Sequence, residues 1–379
     1  MDYEKYVGPW NVESLQQVPS VKWGSTIEHP DCTVSQITYS SEPYKGKVAE
    51  VFAYYAVPRS VSAPLPAIVL VHGGGGKAFT EWAEQWAKRG YVAIAMDLTG
   101  RDSDGSRMEE GGPDMTEENM FRGISEDALT EMWNYHAVAA VIKAVSFLSV
   151  QSDIDSTAIG MMGVSWGGYV TEIVAGLDSR LAYAMPVYAA GYYQEGSCWQ
   201  SILQGMDEEQ RQLWTTNFDV KQYVGQSMFP MLLATSTNDT AFYLDSWQKT
   251  CRLVKGEQTL RLIANWEHCH ETPWATQEFG IYADSIVKNA EPLLRVTSSG
   301  RSDAEAWTIY YGSRPVQAVN LHYTSDSGEY TSRSWQSSSA QLDEENKKVS
   351  ARPPADATAY FFTIEDSSGN VISSDLTIS

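Results

Sequence analysis

Hydrophobic and polar positions divide the chain into three regimes. Residues 35–39 and 48–57 alternate apolar and polar side chains on either side of a Pro/Gly turn, which predicts an antiparallel hairpin. From residue 67 the alternation gives way to mostly apolar runs at 67–71, 92–96, 158–162, 182–187, 231–235 and 260–264. Stretches with helical periodicity separate most of them, including 79–89, 128–148 and 243–254. Strands that are apolar on both faces and alternate with helices predict a parallel sheet covered on each side. Two antiparallel strands followed by six parallel ones make an eight-stranded, mostly parallel sheet. From residue 291 the pattern changes again, to short strands at 306–311, 318–323, 347–351, 359–364 and 371–374 without a helical period. That stretch predicts an all-β sandwich of immunoglobulin-like size. The chain therefore divides into an α/β domain at 1–290, with an N-terminal extension at 1–34, and a β-sandwich module at 291–379.

Two polar segments interrupt the α/β pattern. Residues 100–129 follow the 92–96 strand at the carboxyl edge, where open α/β sheets bind ligands. Residues 191–225 follow the 182–187 strand and carry Tyr192, Tyr193, Trp199 and Trp214. Both segments are expected to wall a substrate pocket.

Composition narrows the class of ligand. Of the 379 residues, 43% are hydrophobic and 20% charged, as in ordinary globular proteins. The net charge of −21, with scattered Lys and Arg, argues against a nucleic-acid partner, because phosphates would be repelled. No apolar run approaches the roughly 18 residues of a membrane span. The opening Met1-Asp2-Tyr3-Glu4-Lys5 lacks the basic and apolar regions of a signal peptide. A secreted protein shorn of its leader would look the same, so a periplasmic or extracellular location stays open. Cys32, Cys198, Cys251 and Cys269 are widely spaced and imply neither a zinc site nor a disulfide framework. Most of the 13 Trp and 21 Tyr are expected in packing, although such side chains also suit sugar or aryl ligands.

The chemistry is concentrated at Gly163-Val164-Ser165-Trp166-Gly167-Gly168, between the apolar run at 158–162 and a helical segment. A G-x-S-x-G between strand and helix is the nucleophile elbow of α/β-hydrolases, whose strand count and order the chain also shares. A serine hydroxyl is a weak nucleophile and needs a base oriented by an acid, which in this fold follow in the order Ser, Asp or Glu, His. The loop after the 231–235 strand holds one carboxylate ahead of the next helix, Asp239, whose competing role is that of a helix cap. The base lies at His268 or His270, directly after the last parallel strand. His72-Gly73-Gly74-Gly75-Gly76 follows the 67–71 strand, and its glycines let backbone approach a substrate oxygen. Gly74 and Trp166 are the expected oxyanion donors, with Gly73 and Gly75 as neighbouring candidates. Neither a metal nor an organic cofactor is required.

These motifs resemble the dienelactone hydrolase and acetyl xylan esterase branch of the α/β-hydrolases, which is related to the catalytic domain of prolyl oligopeptidases. The resemblance covers residues 35–290 and adds an Asn-x-x-His turn, here Asn265 to His268. It implies Ser165 as nucleophile, Asp239 as acid and His268 as base, leaving His270 as a pocket residue or as the alternative base. Dienelactone hydrolases proper use a cysteine nucleophile, and a serine there implies ordinary esters. Only about 60 residues precede the 67–71 strand, whereas prolyl oligopeptidases carry a propeller there, which disfavours a peptidase. A carbohydrate acetyl esterase acting on a small-molecule or polysaccharide ester is the implied activity. The alternatives are a peptidase and a non-enzymatic glycan- or protein-binding relative.

Overall fold

The computed structural model describes residues 5–59, 64–302 and 305–378. The first four residues, whose composition bears on a leader, lie outside them. An antiparallel lead-in is formed by β1 (Val21–Glu28), β2 (Cys32–Tyr44) and β3 (Lys47–Pro58). Six strands then run parallel: β4 (Leu65–Val71), β5 (Val92–Met96), β6 (Ile154–Val164), β7 (Tyr183–Val187), β8 (Met231–Ser236) and β9 (Gln258–Ile263). Their spatial order is β1-β2-β3-β5-β4-β6-β7-β8-β9. The chain leaves β4 toward one edge and resumes at β6 on its other side. That reversal opens a crevice at the carboxyl ends of β4 and β6, where sheets of this kind bind ligands.

Strand β1 is an addition to the eight expected. Nearly all of its side chains are exposed, Trp23 and Ile27 among them, so it carries no buried-face alternation to read. The parallel strands behave differently because helices cover both faces. Helices Trp133–Leu148 and Trp166–Leu177 are buried along their whole length and fill one face. Helices Thr80–Lys88 and Glu278–Val287 cover the other through Trp82, Trp86, Phe279 and Tyr282. Among the described residues no helix is long and apolar enough to cross a membrane.

The C-terminal region is all-β, as expected, but it is joined to the α/β part through the sheet itself. One sheet is β10 (Arg295–Ser302), β11 (Glu305–Tyr311), β15 (Lys348–Ala351) and β14 (Gln341–Asp343). The other is built on β12 (Val316–Thr324), β13 (Gln336–Ser339), β16 (Ala359–Asp366), β17 (Val371–Ser373) and β18 (Thr377–Ile378). It continues the central sheet, because Ser373 of β17 pairs with Leu260 of β9. The Ser373 hydroxyl reinforces the seam by accepting from the Leu262 amide at 2.9 Å and donating to the Leu262 carbonyl at 3.1 Å. A serine bridging two short strands carries no hydrophobic signal, so the fusion is invisible to periodicity. The two sheets share a core of Ala306, Tyr310, Leu321, Val349, Phe362 and Ile364.

Among the buried polar groups that lack a partner, one is a carboxyl. Glu172, on the helix Trp166–Leu177, has 0% exposure, and neither carboxyl oxygen has a hydrogen-bond partner. Burial, with the Asp219 carboxylate nearby, pushes its pKa well above the ordinary range and favours the neutral acid. Raised in the folded state, this pKa gives stability that is complete below the unfolded value near 4.3 and is lost as pH rises through the folded one. Glu172→Gln is therefore expected to melt higher than wild type at pH 8, with the gap closing toward pH 4. Thermal melts across that range check it, and equal gaps at both ends would contradict it.

Candidate active site

The elbow after β6 is strained by design of its neighbours. Ser165 sits at φ 59°, ψ −121°, a backbone conformation that costs a non-glycine residue about 1–3 kcal/mol. Its amide donates to the Val187 carbonyl at 2.8 Å and its carbonyl accepts from the Tyr169 amide at 2.9 Å, which opens the helix. The turn closes only with glycine on each side. A Cβ on Gly163 would lie 2.1 Å from the Gly167 carbonyl oxygen, and one on Gly167 would lie 2.1 Å from that of Val71. Ser165 is thus presented at the end of β6, 9% exposed, beside the loop that follows β4.

Two loops from the far side of the crevice complete the arrangement. Asp239 follows β8 and is 2% exposed; its Oδ1 accepts from the Ala241 and Phe242 amides, each at 2.8 Å. Those bonds are the cap geometry expected of the competing reading, and they leave Oδ2 free to accept from His268 Nδ1 at 2.9 Å. His268 Nε2 stands 2.9 Å from Ser165 Oγ. A carboxylate only accepts, so Nδ1 carries the proton and Nε2 is the acceptor that faces the hydroxyl. The Tyr188 ring stacks on the imidazole at 4.6 Å, and Phe242 lies parallel to it at 6.3 Å.

His270 is turned to a different partner. Its Nε2 accepts from the Gly73 amide at 3.0 Å, while the ring rests against Phe79 and Trp82. His72 ties the same loop from below, donating from Nδ1 to the Gly73 carbonyl at 2.8 Å and accepting at Nε2 from the Leu98 amide at 2.9 Å. Burial holds both imidazoles below their ordinary pKa, which matches the neutral form each bond requires. With Gly73 so engaged, the Gly74 and Trp166 amides donate to no protein group among the described residues. A Cβ on Gly74 would come within 3.3 Å of the Trp166 ring, and one on Gly73 within 2.7 Å of the Val164 carbonyl oxygen, so this loop packs directly against the elbow.

The expected pocket walls divide into lining and core. The Trp166 ring is surrounded by Phe121, Trp133, Tyr169, Tyr193, Trp199 and Phe242, with centroids 4.5–6.0 Å away. Tyr193 and Trp214 are fully buried and serve as packing rather than as walls. Tyr192 instead meets the ammonium groups of Lys221 and Lys249. From the 100–129 segment, Met115 reaches Gly74 and Phe121 reaches Trp166. No cysteine is in a disulfide, and among the described residues no group of three or more His, Cys, Asp or Glu could hold a metal ion. The sequence assigns no role of its own to His72. Its place ahead of the glycine run was the signal for one.

A nine-stranded hydrolase sheet with a serine elbow, a histidine and a buried carboxylate at its carboxyl edge defines an α/β-hydrolase. Solved structures agree at the level of fold. An acetyl xylan esterase from Paenibacillus sp. R4 aligns with a TM-score of 0.61 and 19% identity, over 73% of this chain and 92% of that one. Acetyl xylan esterase 1 from Thermoanaerobacterium sp. JW/SL YS485 aligns with a TM-score of 0.59 and 17% identity, over 73% and 96%. The family model described as acetyl xylan esterase (AXE1) matches residues 2–192, just over half of the sequence, and the chain belongs to that family. Acetyl esterase Axe7A of Xylanibacter ruminicola is 24% identical over 145 residues, or 35% of this chain. That match spans 30% of the curated relative's own length.

His270→Ala would leave the Gly73 amide without its acceptor and the loop free to shift. We expect kcat toward an aryl acetate to fall about tenfold, the scale of a small misplacement of reacting groups. Wild-type stability is expected to decline as pH falls below about 6.5, because the unfolded imidazoles then bind protons the folded ones resist. A His270→Ala enzyme with wild-type kcat would contradict the loop-holding contact.

Proposed function

We propose that the chain is a serine carboxylic-ester hydrolase that removes acetyl groups from a carbohydrate through an acyl-enzyme. The observation that carries this reading is the unbroken line from Asp239 through His268 to Ser165, 2.9 Å at each link. Two amides without acceptors among the described residues, those of Gly74 and Trp166, flank it on the glycine loop and the elbow. Ser165 Oγ attacks the ester carbonyl while His268 Nε2 takes its proton, and Asp239 stabilises the imidazolium and holds its orientation. The oxyanion of the tetrahedral intermediate is received by Gly74 and Trp166, donors worth about 2.7–4 kcal/mol each in comparable enzymes. His268 returns the proton to the departing alkoxide, leaving acetyl-Ser165. Water, deprotonated by the same imidazole, attacks the acyl carbon, and His268 gives that proton to Ser165 Oγ as the acyl–oxygen bond breaks and acetate leaves. His270 is assigned to holding the Gly73–Gly74 loop and not to proton transfer.

Family membership, with the partly exposed Trp199 beside Trp166, supports an acetylated sugar as the alcohol component. A polymeric substrate such as acetylated xylan would place the enzyme outside the cytoplasmic membrane, since the polymer does not cross it. We assign residues 1–290 to catalysis and 291–379 to the sandwich.

Acetate release from an aryl acetate and from acetylated xylan, with a peptide substrate run in parallel, tests the assignment. Ser165→Ala is expected to lower kcat by about 10⁴-fold or more, and His268→Ala comparably. Full activity in Ser165→Ala, or cleavage of the peptide in preference to both esters, would overturn it.

A further inference from the structure

Asn238, the residue before Asp239, reaches across the seam to the C-terminal sandwich. Its Nδ2 donates to the Arg333 carbonyl at 2.8 Å, with the Tyr330 and Thr331 carbonyls at 3.3 and 3.4 Å. All three belong to the segment between β12 and β13, which includes the short 3-10 turn Tyr330–Ser332. That segment is braced by its own side chains and is tied to the sandwich where Arg333 Nη1 donates to Thr358 Oγ1 at 3.4 Å. The Arg333 guanidinium lies 3.7 Å from the centre of the Tyr330 ring and donates from Nε to the Gly328 carbonyl at 2.8 Å. The Asp326 carboxylate accepts from the Ser334 amide at 2.7 Å.

The other end of the Asn238 amide continues into the site. Its Oδ1 accepts from the Thr237 hydroxyl at 2.6 Å, and the same Thr237 Oγ1 accepts from the Asn265 amide at 3.0 Å. Thr237 is fully buried. Asn265 stands at φ 53°, the left-handed turn that redirects the chain from β9 toward His268. One side-chain amide therefore couples three segments: the sandwich carbonyls, the loop carrying Asp239 and the loop carrying His268. Each donor meets an acceptor, so the junction accepts only one arrangement of the three.

We propose that the C-terminal sandwich is a working part of the active site, with Asn238 the positioning residue through which it sets the Asp239–His268 geometry. This rests on the ester-hydrolase reading of Ser165, His268 and Asp239. Asn238 touches neither substrate nor the reacting atoms; it fixes the backbone on which the acid and base are carried. A displacement of acid against base on the order of 1 Å is enough to cost about 100-fold in rate, and such a junction resists it. The sandwich then has a catalytic reason to be continuous with the central sheet, beyond the stability it adds.

The test uses the full chain and approaches the junction from both sides. Asn238→Leu keeps the side-chain size and removes both amide contacts; Arg333→Ala loosens the segment that supplies the carbonyls and leaves the α/β part intact. Each is expected to lower kcat for an aryl acetate by about 10- to 100-fold with little change in KM. The low-field proton resonance of His268 Nδ1–H should broaden or shift in both. The double variant should lose no more than the worse single one, because both break one junction. Wild-type kcat and an unmoved resonance in folded Asn238→Leu would overturn the proposal, as would losses in the two single variants that multiply in the double. If Asn238→Leu does not fold, Arg333→Ala decides by the same two readouts. An active Ser165→Ala would instead sink the reading of the site on which the proposal stands.

Discussion

The backbone of Ser165, held at φ 59° and ψ −121°, is the constraint around which the rest of the structure is arranged. A serine does not adopt that conformation unless its surroundings leave it no other. Gly163 and Gly167 supply the surroundings by approaching at distances that exclude any Cβ, and the Val187 carbonyl fixes the Ser165 amide. The strain is offset by a helix buried along its whole length behind it. What the fold gains is a hydroxyl standing clear of the sheet at the switch between β4 and β6, with the orphan amides of a helix start beside it.

Everything else brings complementary groups to that fixed point. The loop after β4 must offer an amide, and two neutral histidines tether it, His72 through the Gly73 carbonyl and His270 through the Gly73 amide. With both sides of Gly73 used as anchors, the next amide, that of Gly74, is the proposed oxyanion donor. His268, the proposed base, arrives on a turn after β9, with the Tyr188 ring stacked on it and Phe242 parallel to it. Asp239, the proposed acid, arrives on a loop after β8, and its Oδ1 is spent on that loop's own backbone. The same carboxylate thus caps its loop and orients the base, so the two readings of Asp239 are compatible.

Most of the α/β sheet and the positions that meet at Ser165 were legible in the sequence, for a physical reason. Fully buried parallel strands must be continuously apolar, and an elbow must have small residues at fixed offsets; both are local demands. Features that depend on contacts distant in sequence were not legible. Strand β1 buries too little to leave an alternation. The fusion of the sheets at Ser373 and Leu260 is made by hydroxyl and backbone bonds. The separate duties of His268 and His270, two residues apart, follow only from the direction each side chain takes. Tyr193 and Trp214 looked like pocket walls because composition cannot distinguish an aromatic that lines a site from one that packs behind it. Asn238 looked like a neighbour of the acid until the carbonyls of residues 330–333 came within reach of its amide.

The central claim is that Ser165 becomes covalently acylated, and it is tested most directly by trapping the intermediate. The enzyme would be mixed with excess aryl acetate, quenched in acid within the first turnovers and digested for mass spectrometry. One acetyl group is expected on the peptide containing Ser165, accumulating at up to one per chain and disappearing as substrate is exhausted. Turnover that proceeds with no acetyl on Ser165, or with acetyl on another residue at the rate of turnover, would contradict it.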